Sequence, residues 1–150
     1  MKKYIQFCLI VITLILSSCD PDDGNQVTPP QASILGEWKL QSITYGTISE
    51  PLDDCELMQT FTFTANGNLD VYYDTSGNCD FATRTIFYVL ENNILTVTVP
   101  EEGGNGSDYI IKNNIETLNQ TTLVFIEYWD SIDGEYPQED RVAYTYTKIN

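Results

Sequence analysis

Carboxylates and phenols are the groups with which this chain could do chemistry. Its 150 residues include 22 Asp and Glu, 10 Tyr and 4 Cys, but no His. Without an imidazole, no Ser-His-Asp triad, Cys-His pair or His-ligated zinc can be assembled. Acidic residues could hold a hard cation, and two clusters invite that reading: Asp74-x-Ser76-x-Asn78-x-Asp80, and Asp130, Asp133, Glu135, Glu139 with Asp140. Oxygen ligands at alternate positions suit Ca²⁺, yet the first run lacks the glycine at its sixth position and the bidentate Glu at its twelfth that complete such a loop. Clusters are expected by chance in so acidic a chain, so they read as solvated hairpin tips, with no metal and no cofactor. No spacing singles out a carboxylate pair for glycoside hydrolysis. The protein is therefore expected not to be an enzyme.

The formal net charge of −15, from 7 basic residues against 22 acidic ones, argues against a DNA or RNA partner, because phosphate binding needs Lys and Arg to release counterions. The same charge repels anionic headgroups, so the folded part is not expected to touch a membrane through its own surface.

The N-terminus reads as an address. Lys2 and Lys3 precede an apolar run from Ile5 to Leu16, shorter than the about 20 residues of a spanning helix and laid out as a secretory signal. Leu16-Ser17-Ser18-Cys19 resembles the bacterial lipobox, with a small residue before the cysteine. That resemblance implies a signal peptide over 1–18, cleavage before Cys19, and a lipid on its sulfur that anchors the protein by buried acyl carbons. Residues 19–33 hold almost nothing to bury and include Pro29-Pro30, as expected of a disordered tether. The acidic residues after Cys19 resemble a surface-export signal of some Gram-negative lipoproteins, whereas Asp20 at that position resembles an inner-membrane retention signal. The expected location is the envelope of a Gram-negative bacterium, at the outer membrane and lipid-anchored, with the leaflet open.

With Cys8 lost in the signal and Cys19 lipidated, Cys55 and Cys79 remain. An isolated pair in an exported domain reads as one disulfide, since two thiolates lack the further ligands of a metal site.

Residues 34–150 must position whatever site exists, and they read as strands. Short β-rich runs are separated by Asn, Gly and Asp, with no sustained helical period. The strand candidates number eight: Gly36 to Tyr45, Met58 to Thr64, Asn68 to Asp74, Ala82 to Leu90, Ile94 to Val99, Asp108 to Thr117, Thr121 to Trp129 and Asp140 to Ile149. Phe61 and Phe63 alternate with threonines, as do Leu95, Val97 and Val99, so one face of each strand is core-facing. Ala65-Asn66-Gly67-Asn68 and Glu91-Asn92-Asn93 supply turn residues that tolerate positive φ. Leu123 to Trp129 is apolar on both parities, which suits either a strand covered on both faces or one exposing an apolar stripe. Closing an eight-stranded meander into an up-and-down antiparallel barrel removes its two edges; the alternative is an open β-sandwich.

Gly36-Glu37-Trp38, at the head of the first strand, resembles the GxW signature that opens the barrel of lipocalins. The wider order of lipobox, acidic tether, Ile34-Leu35-Gly36-Glu37-Trp38-Lys39-Leu40, Asp54-Cys55, Phe61-Thr62-Phe63, Asn66-Gly67 and Cys79 is similar to lipocalin-like bacterial lipoproteins. The resemblance implies that Gly36 and Trp38 close one end of a barrel and that a basic residue of the last strand packs on the indole. Arg141 is the candidate, with Lys148 as the substitute if Arg141 lies at the other end of its strand. Both Trp38 and its partner would be structural.

An eight-stranded barrel can be filled or hold one small ligand. Phe61, Phe63, Tyr73, Phe87, Phe125, Tyr144 and Tyr146 are expected to face inward and could line an apolar cavity with a few hydroxyls to orient a ligand, or simply fill the core. The function expected is a monomeric binder of a small apolar or amphipathic molecule, without catalysis. The alternative is a surface interaction or structural module with a filled barrel that binds protein or glycan. Asp130-Ser131-Ile132 also resembles an O-glycosylation acceptor of exported proteins, which would modify Ser131.

Overall fold

The alternating threonine, valine and aromatic runs form strands because β-branched and aromatic side chains fit a pleated, half-buried surface. The computed structural model describes residues 33–101 and 106–149, so the signal, Cys19 and nearly all of the tether lie outside the described residues. Among the described residues there are ten strands: β1 (Gly36–Tyr45), β2 (Ile48–Glu50), β3 (Thr60–Phe63), β4 (Asn68–Asp74), β5 (Phe81–Glu91), β6 (Ile94–Val99), β7 (Tyr109–Leu118), β8 (Thr122–Asp130), β9 (Gly134–Glu135) and β10 (Val142–Lys148). Eight of them correspond to the expected candidates. β2 and β9 are short additions, folded back on the ends of β1 and β8.

All pairings are antiparallel, in the order β10-β1-β3-β4-β5-β6-β7-β8, and β10 also pairs with β8. The sheet thus closes on itself as an eight-stranded, all-β meander barrel. Closure leaves no barrel strand with an unpaired edge.

The two ends differ. At one, the hairpins are tight: residues 64–67 join β3 to β4, Asn92 and Asn93 (φ 50° and 65°) join β5 to β6, and residues 119–121 join β7 to β8. Consecutive positive φ values are what a two-residue hairpin turn demands, and Asn meets them at low cost. At the other end run the long connections 51–59, 75–80 and 131–141, and there β6 ends and β7 begins. Cys55 and Cys79 form a disulfide there, with Cα atoms 5.0 Å apart, tying the first of these connections to the second.

Trp38 plugs the tight end and has no exposed surface. Its Nε1 donates to the Ile34 carbonyl at 2.7 Å, and Gly36 holds φ 116°, a conformation open to glycine but strained for other residues. Directly opposite Trp38 in register is Lys148. Its Nζ lies 5.0 Å from the indole centroid and donates to the Leu35 carbonyl at 2.8 Å. Arg141 therefore does not take that role. It stands at the far end of β10, about 20 Å away along the strand, where it pairs with Glu135 at 3.0 Å and lies 5.9 Å from the Tyr128 ring.

Three bulges bend the sheet. Gln41 is the extra residue in β1 against β10, Tyr128 in β8 against β7, and Glu116 in β7 against β8. A bulge reverses the inward and outward parity of the residues beyond it. Past Tyr128, this turns Asp130 inward.

Candidate functional site

The core fills the tight end and thins toward the long loops, where a cavity of about 220 Å³ remains inside the barrel. Its apolar wall comes from inward positions on successive strands: Phe61 on β3, Leu69 and Val71 on β4, Ile86 on β5, Leu95 and Val97 on β6, Ile111 on β7 and Phe125 on β8. The aromatic side is continuous, with ring centroids 4.9 Å apart for Phe61 and Tyr146, 5.5 Å for Phe125 and Tyr146, and 5.4 Å for Phe125 and Tyr144.

Of the seven aromatics expected to line a pocket, Phe61, Phe125, Tyr144 and Tyr146 do so. Phe63 points inward but is buried in the packed end, edge-on to Tyr88 at 5.0 Å. Tyr73 lines an adjoining shallow cleft with Arg84 and Val99, next to the Val71 and Ile86 that this cleft shares with the cavity. Phe87 faces out and is 51% exposed, because the inward parity of β5 belongs to Ile86 and Tyr88. The doubly apolar run of β8 resolves likewise: Leu123 and Phe125 are buried, while Val124 and Ile126 are half-buried on the outside. Trp129, also half-buried, is covered by Lys112 Nζ at 4.5 Å.

Four polar residues complete the cavity: Asn113 and Glu127, directly opposite one another on β7 and β8, and Tyr144 and Tyr146 on β10. Asn113 donates through Nδ2 to the Leu95 carbonyl at 3.3 Å, and among the described residues no donor reaches its carbonyl oxygen. Glu127 receives only a long 3.5 Å contact from the Tyr136 hydroxyl. Burial, and secondarily the charge of Asp130, push the Glu127 carboxyl above the usual carboxylate range. Burial likewise pushes the Tyr144 and Tyr146 phenols up.

Asp130 sits at the rim, and its capacity is spent. Oδ1 accepts the Ile132 and Asp133 amides at 2.6 and 2.8 Å, while Oδ2 accepts the hydroxyls of Tyr109, at 3.0 Å, and Tyr136. Four donors saturate a carboxylate's acceptor sites. The Tyr136 hydroxyl foremost, with these amides, holds the Asp130 pKa down at about 2. Burial and then the Asp130 hydrogen bond raise Tyr109 to about 12. A raised and a lowered carboxyl side by side is the pattern of an acid–base pair, but here Asp130 fastens the β8–β9 turn and only Glu127 is available to a ligand.

The two carboxyls give opposite pH dependences. Asp130, with a depressed folded pKa, contributes stability present above pH about 4 and lost as pH falls toward 2. Glu127, with a raised folded pKa, works the other way: the folded barrel holds its proton more tightly, so stability is lost as pH rises through the raised value. Glu127→Gln is therefore expected to raise the thermal midpoint of the empty barrel at pH 7 and to change it little at pH 4. An equal shift at both pH values would show that desolvation of the charge is not what the carboxylate costs the fold.

The other candidates are held in loops. Asp74 accepts the amides of Ser76, Cys79 and Asp80 at 3.1–3.2 Å, first among them the Ser76 amide, which holds its carboxyl low; it organises a turn in which Cys79 takes φ 62°. Ser131 is exposed, with its Oγ accepting the Ile110 amide at 3.0 Å.

Asn113, Glu127 and Tyr136 are the residues that sequence reasoning missed, and Asp130, expected in a solvated acidic tip, is instead buried at the rim. The available signal was two acids three apart, Glu127 and Asp130, in an otherwise apolar strand. Strict alternation would have put them on opposite faces.

Two solved structures share this architecture. A lipocalin-like protein from Bacteroides uniformis ATCC 8492 is 16% identical, with 77% of this chain and 97% of that one covered and a TM-score of 0.54. An uncharacterized protein from Bacteroides eggerthii DSM 20697 is 12% identical, with 77% and 99% covered and a TM-score of 0.50. At such identities the likeness is one of fold alone. No curated protein matches the chain significantly. The sequence model of the lipocalin-like domain family matches residues 34–125, a stretch that opens beside Trp38 and runs through seven of the barrel strands to Phe125, and with that match over more than half its length the chain belongs to the lipocalin-like domain family.

Proposed function

We propose that this is a lipid-anchored envelope protein whose barrel encloses one small, mainly apolar molecule without covalent chemistry. The observation that carries the reading is the 220 Å³ cavity walled by Phe61, Val97, Phe125 and their neighbours and reached from the long-loop end. A cavity of about 150 Å³ with aliphatic and aromatic walls is enough to take up benzene, so this one suits a single ring with a short substituent. The lipobox-like Leu16-Ser17-Ser18-Cys19 supports anchoring, and a domain with so negative a charge is well suited to hang soluble from a lipid. The interaction-module reading loses ground, since the outer side chains of β8 are half-buried and the barrel is not filled.

The test is calorimetric titration of the purified full chain with 2-phenylethanol, a neutral single-ring probe. Saturable one-site binding is expected. Val97→Phe, which puts a ring into the cavity, should weaken it at least tenfold while thermal unfolding stays cooperative. Absence of binding to the parent chain, or equal binding by the variant, would sink enclosure.

A further inference from the structure

Two of the cavity's four polar groups are pure acceptors at their free oxygens, and the other two are phenols that can accept or donate. Asn113, 3% exposed, presents a carbonyl oxygen that no described donor reaches, and Glu127 presents a carboxylate with only one long contact. Tyr146, also 3% exposed, lines the cavity, and no hydrogen bond to its hydroxyl is found among the described residues; the same holds for the Tyr144 hydroxyl. Every side-chain polar atom sealed from solvent among the described residues has a partner. The unpaired oxygens are therefore the ones the cavity keeps accessible. An unpaired acceptor in an apolar setting costs free energy until a donor arrives, so Asn113 and Glu127 ask for a ligand that donates, and the two phenols can serve either sense.

The charges agree. Neither Lys nor Arg is found among the cavity's described lining residues. Arg84, on the same parity of β5 as Ile86, lines the adjoining cleft that shares Val71 and Ile86 with the cavity, where it donates to the Pro100 carbonyl at 2.8 Å; Arg141 is turned outward to Glu135. Around the rim stand Asp130, Glu50 and the phenols of Tyr45, Tyr109 and Tyr136. A ligand carboxylate entering here would meet Glu127 with no cation in the cavity's own described lining, whereas an ammonium would have Glu127 and the Asn113 oxygen side by side on adjacent strands. The acidic domain as a whole also draws cations toward the mouth.

We infer that the barrel selects a small amphipathic amine, its single-ring or short aliphatic body against Phe61 and Phe125 and its cationic nitrogen donating to Glu127 and Asn113. This rests on the enclosure reading and narrows its ligand class.

The experiment is a matched titration of the full chain at pH 7.5 with 2-phenylethylamine, 2-phenylethanol and phenylacetate, which share a ring and differ in the head group. The amine should bind at least tenfold more tightly than the alcohol, and phenylacetate more weakly than either. Glu127→Gln should remove the tenfold ratio, so that within this variant amine and alcohol bind within about twofold of one another. Tyr146→Phe should weaken amine and alcohol together, and Val97→Phe should abolish amine binding. If the alcohol or phenylacetate equals the amine, the amine class is overturned and enclosure stands. An amine preference that survives Glu127→Gln or Val97→Phe would place the cation on the acidic surface and also overturn it. Failure of all three probes would remove both readings.

Discussion

Replacing Trp38 with alanine is expected to cost about 4 kcal/mol of folding stability, in the usual range for deleting a buried aromatic. The indole has no exposed surface and shares one buried core cluster with Ile34, Phe63 and Leu123. Its loss leaves a void the short hairpins cannot collapse into, and it removes the partners of two other groups, the Ile34 carbonyl and the Lys148 ammonium. Lys148→Met separates the contributions. It keeps much of the aliphatic cover of the indole, removes the cation–π contact and the hydrogen bond to Leu35, and is expected to cost about 1 kcal/mol. Urea unfolding of both variants beside the parent checks this. A loss below about 2 kcal/mol for Trp38→Ala would mean the plug is dispensable and the closed end is held by its hairpins alone.

Removing the disulfide comes next in size. Cys55 and Cys79 are 24 residues apart in sequence, and closing such a loop restricts the unfolded chain by roughly 3 kcal/mol in the entropy model. Cys55→Ser with Cys79→Ser should therefore lower the thermal midpoint on the order of 10 °C. The location adds a local effect. The bridge joins two connections at the cavity mouth, and Cys79 is held at positive φ with its amide on Asp74. Amide hydrogen exchange should accelerate over 51–59 and 75–80 well before the β3–β4 ladder opens. Uniform acceleration across the barrel would contradict this, by making the bridge part of the cooperative core instead of a clamp on the mouth.

Much of this architecture is legible in the amino-acid order, because it is written locally. Alternation of threonine with apolar residues places β3 and β6 on the barrel wall with their inner faces assigned, and Asn92-Asn93 marks a turn before any partner strand is known. The two cysteines and Gly36-Glu37-Trp38 point to a bridge and a plug, and both are present. Short strands without such alternation, β2 and β9, are hidden, since they exist only as extensions of their neighbours' ladders. Phe87 shows the limit of composition: an aromatic in a strand reads as core, yet its parity, set by Ile86 and Tyr88, turns it to solvent.

Tertiary structure alone decides the site. Which basic residue meets Trp38 depends on the register between the first and last strands, which the closing of the ring sets across the whole chain; it puts Lys148 opposite the indole and leaves Arg141 at the other end. Glu127 and Asp130 share the mouth only because Tyr128 bulges, and in a strand apolar on both parities nothing local marks where the phase slips. Donors brought in by β7, by the turn after β8 and by Tyr136 lower the Asp130 pKa and use up its oxygens, whereas burial inside the closed barrel raises Glu127 and leaves it available. Local periodicity determines the wall of a barrel, but curvature and closure determine what its interior presents to a ligand.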